Sequence, residues 1–185
     1  MINININHKT SDKPNVTLTV RRVEASAWRS LGFYKHHYLT SSLNPSCKCF
    51  VFFWNDEPIC FIGLLNSPRK GSPNSLSISR IVVLPDYQGI GIAKKCIEFI
   101  CGIAKNDNYV TYIKTIHERF GKYLTDSDKW EATSYNGKIR KSVEYEKGKY
   151  NNRLIRPSYC FKYIGNAING YSDLLKPINE LRKNK

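Results

Sequence analysis

Residues 82–96, VVLPDYQGIGIAKKC, constrain the fold more than any other stretch of the chain. β-Branched residues run up to Leu84-Pro85, a polar turn carries Gln88-Gly89-Ile90-Gly91, and helical spacing begins directly afterwards. A strand that passes through a glycine turn into a helix is the unit of an α/β layer structure. It also exposes the first amides of the helix, which have no intrahelical partner. The helix dipole adds partial positive charge there, and glycines admit a close anion. The turn therefore predicts a phosphate-bearing ligand.

Spacing narrows that ligand. A triphosphate loop needs Gly-x-x-x-x-Gly-Lys-Ser/Thr, whereas Lys94 is followed here by Lys95 and the glycines are spaced differently. A dinucleotide fingerprint needs Gly-x-Gly-x-x-Gly in the first strand–helix unit, but position 94 is lysine and the turn follows the fourth or fifth strand.

The flanking sequence gives the order of elements. Residues 1–15 are Asn-rich and read as a polar arm. VTLTVRRVEAS (16–26) alternates as a strand, and 27–39 carry Trp28, Leu31 and Tyr38 near helical spacing. Strands are expected over 48–56 and 58–67, joined by a turn at Asp56-Glu57-Pro58. A strand over 76–84 leads into the glycine turn and a helix over about 90–105, with Ala93, Cys96, Ile97, Ile100 and Ala104 as its apolar stripe. A strand (109–116), a short helix (117–127), a last strand (158–165) and a weak C-terminal helix broken near Pro177 complete the chain. One mixed α/β domain over 16–165 with a C-terminal extension over 166–185 accounts for this order.

Charge bears on the partner. Twenty-nine basic against fifteen acidic residues give a net charge of +14. Such an excess opposes compaction, so it points to an anionic partner, and nucleic acid is the commonest for a domain of this kind. Between 135 and 163 tyrosines alternate with Lys138, Arg140, Lys141, Arg153 and Arg156, a composition suited to stacking and phosphate contacts on DNA or RNA. A solvated hairpin whose tyrosines pack on the core gives the same composition.

The six cysteines sit mostly in apolar segments, as buried free thiols do. Cys47-x-Cys49 is too tight for paired metal ligands, and no metal site is expected. No apolar leader and no run long enough to span a membrane is seen, so a cytoplasmic protein is expected, monomeric or homodimeric.

Gln88-x-x-Gly91-x-Ala93 resembles the Arg/Gln-x-x-Gly-x-Gly/Ala loop of the GNAT acyltransferases, which cradles the pyrophosphate of acyl-coenzyme A. The resemblance covers about 20–165 and is strongest over 76–104, where strand, Tyr-Gln-Gly-x-Gly turn and helix all agree. It implies a single GNAT-like domain, a mixed but mostly antiparallel sheet flanked by helices, and acetyl-CoA or another acyl-CoA as cofactor. By the same resemblance, the backbone of Ile81, Val82 and Val83 would pair with the pantetheine arm. The amides of Gln88, Gly89, Ile90, Gly91, Ile92 and Ala93 would hold the pyrophosphate, with Lys94 near the nucleotide phosphates.

The family often carries a carboxylate on the strand before the loop, and SLSISRIVV has none. Tyr123 is the positional candidate for the acid that protonates the leaving thiolate, while His37, Tyr38, Ser79 and Arg80 are expected to border the acceptor cleft. HHYL, SISRIVVLPDYQGIGIA and SYCFKYIG resemble GNAT domains of phage proteins and of ABC-ATPase fusions. Ser79-Arg80 is also similar to the phage Mom group, which modifies adenine in DNA. Exocyclic base amines are uncharged at neutral pH and need no carboxylate to deprotonate them. Direct acyl transfer in a ternary complex to an amine on nucleic acid is therefore one expectation. Transfer to a protein or small-molecule amine is another, and a non-catalytic nucleic-acid-binding module on the same scaffold is a third.

Overall fold

The computed structural model describes residues 2–6, 15–37, 41–139 and 157–178. Among them, eight strands form one sheet in the order β1-β2-β3-β4-β5-β6-β8-β7. They are β1 (Ile2–Ile6), β2 (Val16–Val23), β3 (Lys48–Trp54), β4 (Glu57–Asn66), β5 (Ser75–Val83), β6 (Val110–Thr115), β7 (Trp130–Ala132) and β8 (Tyr159–Tyr163). Every pairing is antiparallel except β5 with β6, which the helix α2 (Ile92–Asn106) connects as a crossover. This is the mostly antiparallel GNAT-like α/β sheet that the sequence predicts.

Two apolar clusters cover the two faces of the sheet, as strand alternation requires. On one face α2 buries Cys96, Ile97, Ile100 and Ala104 of its expected stripe, with Phe99 and Ile103 beside them, against Phe50, Ile62, Ile78 and Ile113. The helix α3 (Glu118–Asp126) adds Leu124 to the same face. Side chains of this size contribute about 1.5–3 kcal/mol each when fully buried. On the other face α1 (Ala27–Ser30) and a 3-10 turn (Phe33–His36) bury Trp28 and Phe33 against Cys49, Val51, Phe61 and Val82. The helix expected over 27–39 is broken at Gly32, whose φ of 77° closes α1 and starts the 3-10 turn.

Four further differences stand out. Residues 2–6 of the expected polar arm form β1: Ile4 and Ile6 face the core while Asn5 accepts from Thr17. The Ile/Asn alternation is a strand period. The β3–β4 turn lies one residue earlier than expected, at Asn55-Asp56, both with positive φ, as a two-residue hairpin loop requires. β7 was not anticipated, because three residues carry too short a period to read. The expected C-terminal helix is a 3-10 turn over Ser172–Leu175 within the described residues.

Candidate active site

β5 ends at Val83, and Pro85–Tyr87 makes one 3-10 turn before α2 begins. Gly89 and Gly91 have φ of 84° and 82°, a left-handed backbone that a side chain would strain. The amides of Gly89 to Lys94 donate to no backbone carbonyl among the described residues. They form a row of free N–H donors at the helix N-terminus, a cradle for an anion. The Gln88 side chain turns back, and its Nε2 donates to the Val83 carbonyl at 2.8 Å. Tyr87 donates to Glu57 at 2.8 Å and stacks edge-on with Trp54, which ties the turn to β4. Ile92 is buried in the core and so anchors the helix, Ala93 is half-buried, and Lys94 and Lys95 are exposed.

Beside the cradle the sheet opens. β5 and β6 pair from Ser75↔Val110 to Ile78↔Ile113 and no further. Past that point β5 keeps only its β4 partners, with Ile81 opposite Ile62 and Val83 opposite Cys60. Among the described residues the edge of Ser79–Val83 toward β6 therefore carries no strand, and backbone groups there are available to an extended ligand. A bulge sharpens the opening: Arg80 pairs with Gly63 and Ile78 with Leu64, which leaves Ser79 as the extra residue. Pyrophosphate-sized amides at one end and a strand-length slot leading away from them fit the coenzyme A skeleton. The residues implied for cofactor binding, Ile81, Val82, Val83 and Gln88 through Lys94, all line or form this continuous feature.

The catalytic candidates are distributed less simply. Arg80 folds over Ser79, donating to its carbonyl at 2.7 Å, and reaches the Ser42 carbonyl at 2.7 Å. Its Nε is buried without a hydrogen-bond partner among the described residues. Trp28 donates to the neighbouring Ser41 carbonyl at 2.7 Å, and His37 stacks edge-on against Trp28 with ring centroids 5.9 Å apart. Trp28 and the 41–42 segment thus lie between His37 and Ser79-Arg80. Tyr38 lies outside the described residues.

Cys47 extends the group: its thiol is lowered by a hydrogen bond with Cys49, then by Ser79 and the positive charges of Arg80 and Arg22. Tyr123 is placed otherwise. Its hydroxyl donates to Glu98 at 2.5 Å and receives the Trp130 indole N–H at 3.3 Å, while Lys129 holds the other Glu98 oxygen at 2.6 Å. Burial, and then the Glu98 bond, raise its pKa well above the ordinary tyrosine range. It holds a proton firmly, but that proton is engaged with Glu98. Lys94 sits 4.6 Å above the Tyr123 ring, so the network also steadies the cradle helix.

A cavity of about 510 Å³ opens on the α1 face, beyond the part of the sheet that α1 covers. β6 contributes Tyr112 and Lys114, which alternate with the core residue Ile113. The 67–74 loop contributes Arg69 and Lys70, and Tyr135 and Cys160 close the far wall. Arg69 lies 3.8 Å from the centre of the Tyr112 ring. Among the described residues no carboxylate lines this cavity; Glu131, in an adjoining recess that shares Arg69 and Tyr112, is paired with Lys162 at 2.5 Å. These residues escaped the sequence reading because they come from four separated segments. The alternation of YVTYIKTI was the one available signal, since it sets Tyr112 and Lys114 opposite Ile113. Of the expected nucleic-acid contacts, Lys138 is exposed near this cavity with its ammonium 5.6 Å from the Tyr135 ring. Arg140, Lys141, Arg153 and Arg156 lie outside the described residues.

Known proteins agree with this architecture. No curated protein matches the chain in sequence. Among solved structures it is similar to the ribosomal-protein-S18-alanine N-acetyltransferase of Escherichia coli, at 13% identity and TM-score 0.59 over 83% of this chain and 97% of that one. Arabidopsis thaliana Naa50, solved with a bisubstrate analogue, aligns at 14% identity and TM-score 0.55 over 80% and 99% of the two chains. A GNAT family acetyltransferase from Elizabethkingia anophelis, solved with acetyl-CoA bound, aligns at 18% identity and TM-score 0.52 over 79% and 97%. The model of the acetyltransferase (GNAT) family matches residues 16–120, more than half of the chain and all of the strand–turn–helix cradle, and the protein belongs to that family.

Proposed function

We propose that the protein is an acyl-CoA-dependent N-acyltransferase that transfers the acyl group directly, in a ternary complex, to an amine carried on nucleic acid. Coenzyme A supplies the acyl group as an activated thioester. The amides of Gly89 to Lys94 bind its pyrophosphate, and the unpaired edge of Ser79–Val83 pairs with its pantetheine arm. Acetyl-CoA bound in the Elizabethkingia anophelis relative supports this donor.

The observation that carries the acceptor reading is the cavity lined by Arg69, Lys70 and Lys114, with no carboxylate among the described residues that line it. An ammonium acceptor would be repelled by that wall, whereas an uncharged base amine on a phosphate backbone is compatible with it. Such an amine also suits β5, which offers Ser79 and Arg80 where an ammonium substrate would need a base. The likeness of Ser79-Arg80 to adenine-modifying phage proteins points the same way. A duplex base must leave its stack to reach any such site.

Radiolabelled acetyl-CoA offered with single-stranded DNA, RNA and a protein mixture tests the reading. Label is expected in nucleic acid; label in protein or small amines alone overturns the acceptor. Absence of coenzyme A binding by calorimetry overturns the transferase itself and leaves a binding module.

A further inference from the structure

We propose that the cavity between β6, β8 and the 67–74 loop is a phosphate-anchoring subsite, in which Arg69 and Lys114 grip a phosphate of the acceptor and Tyr112 orients the grip. The inference rests on the transferase reading above and specifies which chemical group of the acceptor this chain holds.

Arg69 and Tyr112 are the core of it. A guanidinium 3.8 Å from a ring centre lies flat on that ring, and its edge donors then point outward. Among the described residues the Arg69 side chain has no carboxylate partner and no hydrogen-bonded acceptor of its own. The same holds for Lys70 and Lys114. Some exposed cations elsewhere are paired, Arg21 with Asp56 and Lys176 with Asp173. Others, such as Arg119 and Lys122, have no ion-pair partner among the described residues. What sets Arg69, Lys70 and Lys114 apart is that they share one concavity. Three cations around one concavity, with no carboxylate among the described residues of its wall, repel each other and are stabilised when an anion enters. The planar fork of Arg69, fixed by Tyr112, suits two phosphate oxygens, and Lys114 adds a point charge.

Position and size agree. Tyr112 stands opposite Ser77, and Lys114 lies just beyond the last β5–β6 pair, where the slot opens. A group held by Arg69 and Lys114 therefore sits on the same face as Ser79-Arg80 and next to the parting strands. The volume, about 510 Å³, is within the range of small-ligand sites and admits one nucleotide rather than a duplex. The exposed Lys138 near Tyr135 lies at the rim, where a continuing backbone would pass.

The test is equilibrium binding in the absence of acyl-CoA, so that it does not depend on turnover. Deoxyadenosine 5′-monophosphate, deoxyadenosine, inorganic phosphate and a labelled single-stranded dodecanucleotide are titrated into the full chain. The nucleotide is expected to bind at least ten-fold more tightly than the nucleoside. The paired variant Arg69→Ser/Lys114→Ser is expected to lose at least ten-fold for nucleotide and oligonucleotide while its coenzyme A affinity stays at the wild-type value. A charge-matched control, Arg119→Ser/Lys122→Ser, removes two exposed cations from α3 on the opposite face and is expected to change nucleotide binding less than two-fold. Equal loss in the control would reduce the effect to overall charge and overturn the proposal, as would nucleoside binding as tight as nucleotide. Phosphate that competes as well as the nucleotide supports the anchor and shows that the base adds nothing to it. Intact phosphate anchoring without label transfer to nucleic acid would overturn the acceptor reading while leaving this subsite standing.

Discussion

The donor slot and the cationic cavity lie on either side of the point where β5 and β6 part, and they are built in opposite ways. The slot consists of backbone: unpaired amides at Gly89 to Lys94 and the open edge of Ser79–Val83. Side chains there mostly anchor, as Ile92 does in the core and Gln88 does on the Val83 carbonyl. The cavity consists of side chains, Arg69, Tyr112 and Lys114 among them, brought from separate segments by a sheet that is otherwise unremarkable at that place. A backbone site fixes one ligand for a whole family, because the peptide group is common to all its members. A side-chain site can be rewritten residue by residue, so the acceptor varies while the donor does not.

The largest expected effect separates the two regions. Gly91→Trp puts a side chain at φ of 82° on the cradle itself, and coenzyme A affinity should fall beyond measurement by calorimetry. Nucleotide binding in the cavity should persist in the same variant; loss of both would mean that the two regions form one site. Tyr123→Phe comes next. The hydrogen bonds to Glu98 and from Trp130 predict a structural residue, so the variant should lose about 1–2 kcal/mol of stability with kcat changed less than three-fold. An unchanged melting temperature with kcat reduced ten-fold or more would return Tyr123 to the acid role that the family resemblance implies. Its raised pKa also gives a sign: stability from this tyrosine is complete below about pH 10 and is lost as pH rises above that value. The smallest effect concerns Gln88→Ala, which frees the Val83 carbonyl and should weaken coenzyme A by three- to ten-fold without moving the acceptor's KM.

The same contrast explains what could be read from the sequence. The cradle is one contiguous stretch whose glycines, strand and helix each leave a mark, so its strand–turn–helix course was legible, and the family it resembles names the cofactor. The sheet was legible where strands were long, alternating in β2 and continuously apolar in β3 and β4. β1 was missed because Asn-rich composition outweighed an alternation of five residues, and β7 because three residues carry no period. The helix breaks at Gly32, a residue that can also sit inside a helix, and beyond the break Phe33 packs on Phe61, a tertiary contact that local spacing does not show. Tyr123 matched by position, but its partner Glu98 is set by the register of α2 against α3, which spacing alone does not give. The Arg69–Tyr112 stack joins residues more than forty positions apart, and only the β5–β6 register brings them together.

The strand order has a kinetic corollary. From β1 to β5 each strand pairs with the next one in sequence, so this half is a sequential meander, with α1 inside its longest connection between β2 and β3. The other half needs a crossover through α2, and then β8 must insert between β6 and β7 after a connection of more than twenty residues. Loop closure makes that half the slower to form. The cofactor slot is the seam between this sequential meander and the three strands that follow α2. A chain emerging from synthesis could thus complete β5 and the glycine turn well before the opposite wall exists, and an acyl-CoA present at that moment would meet a half-built groove with its anion cradle already formed.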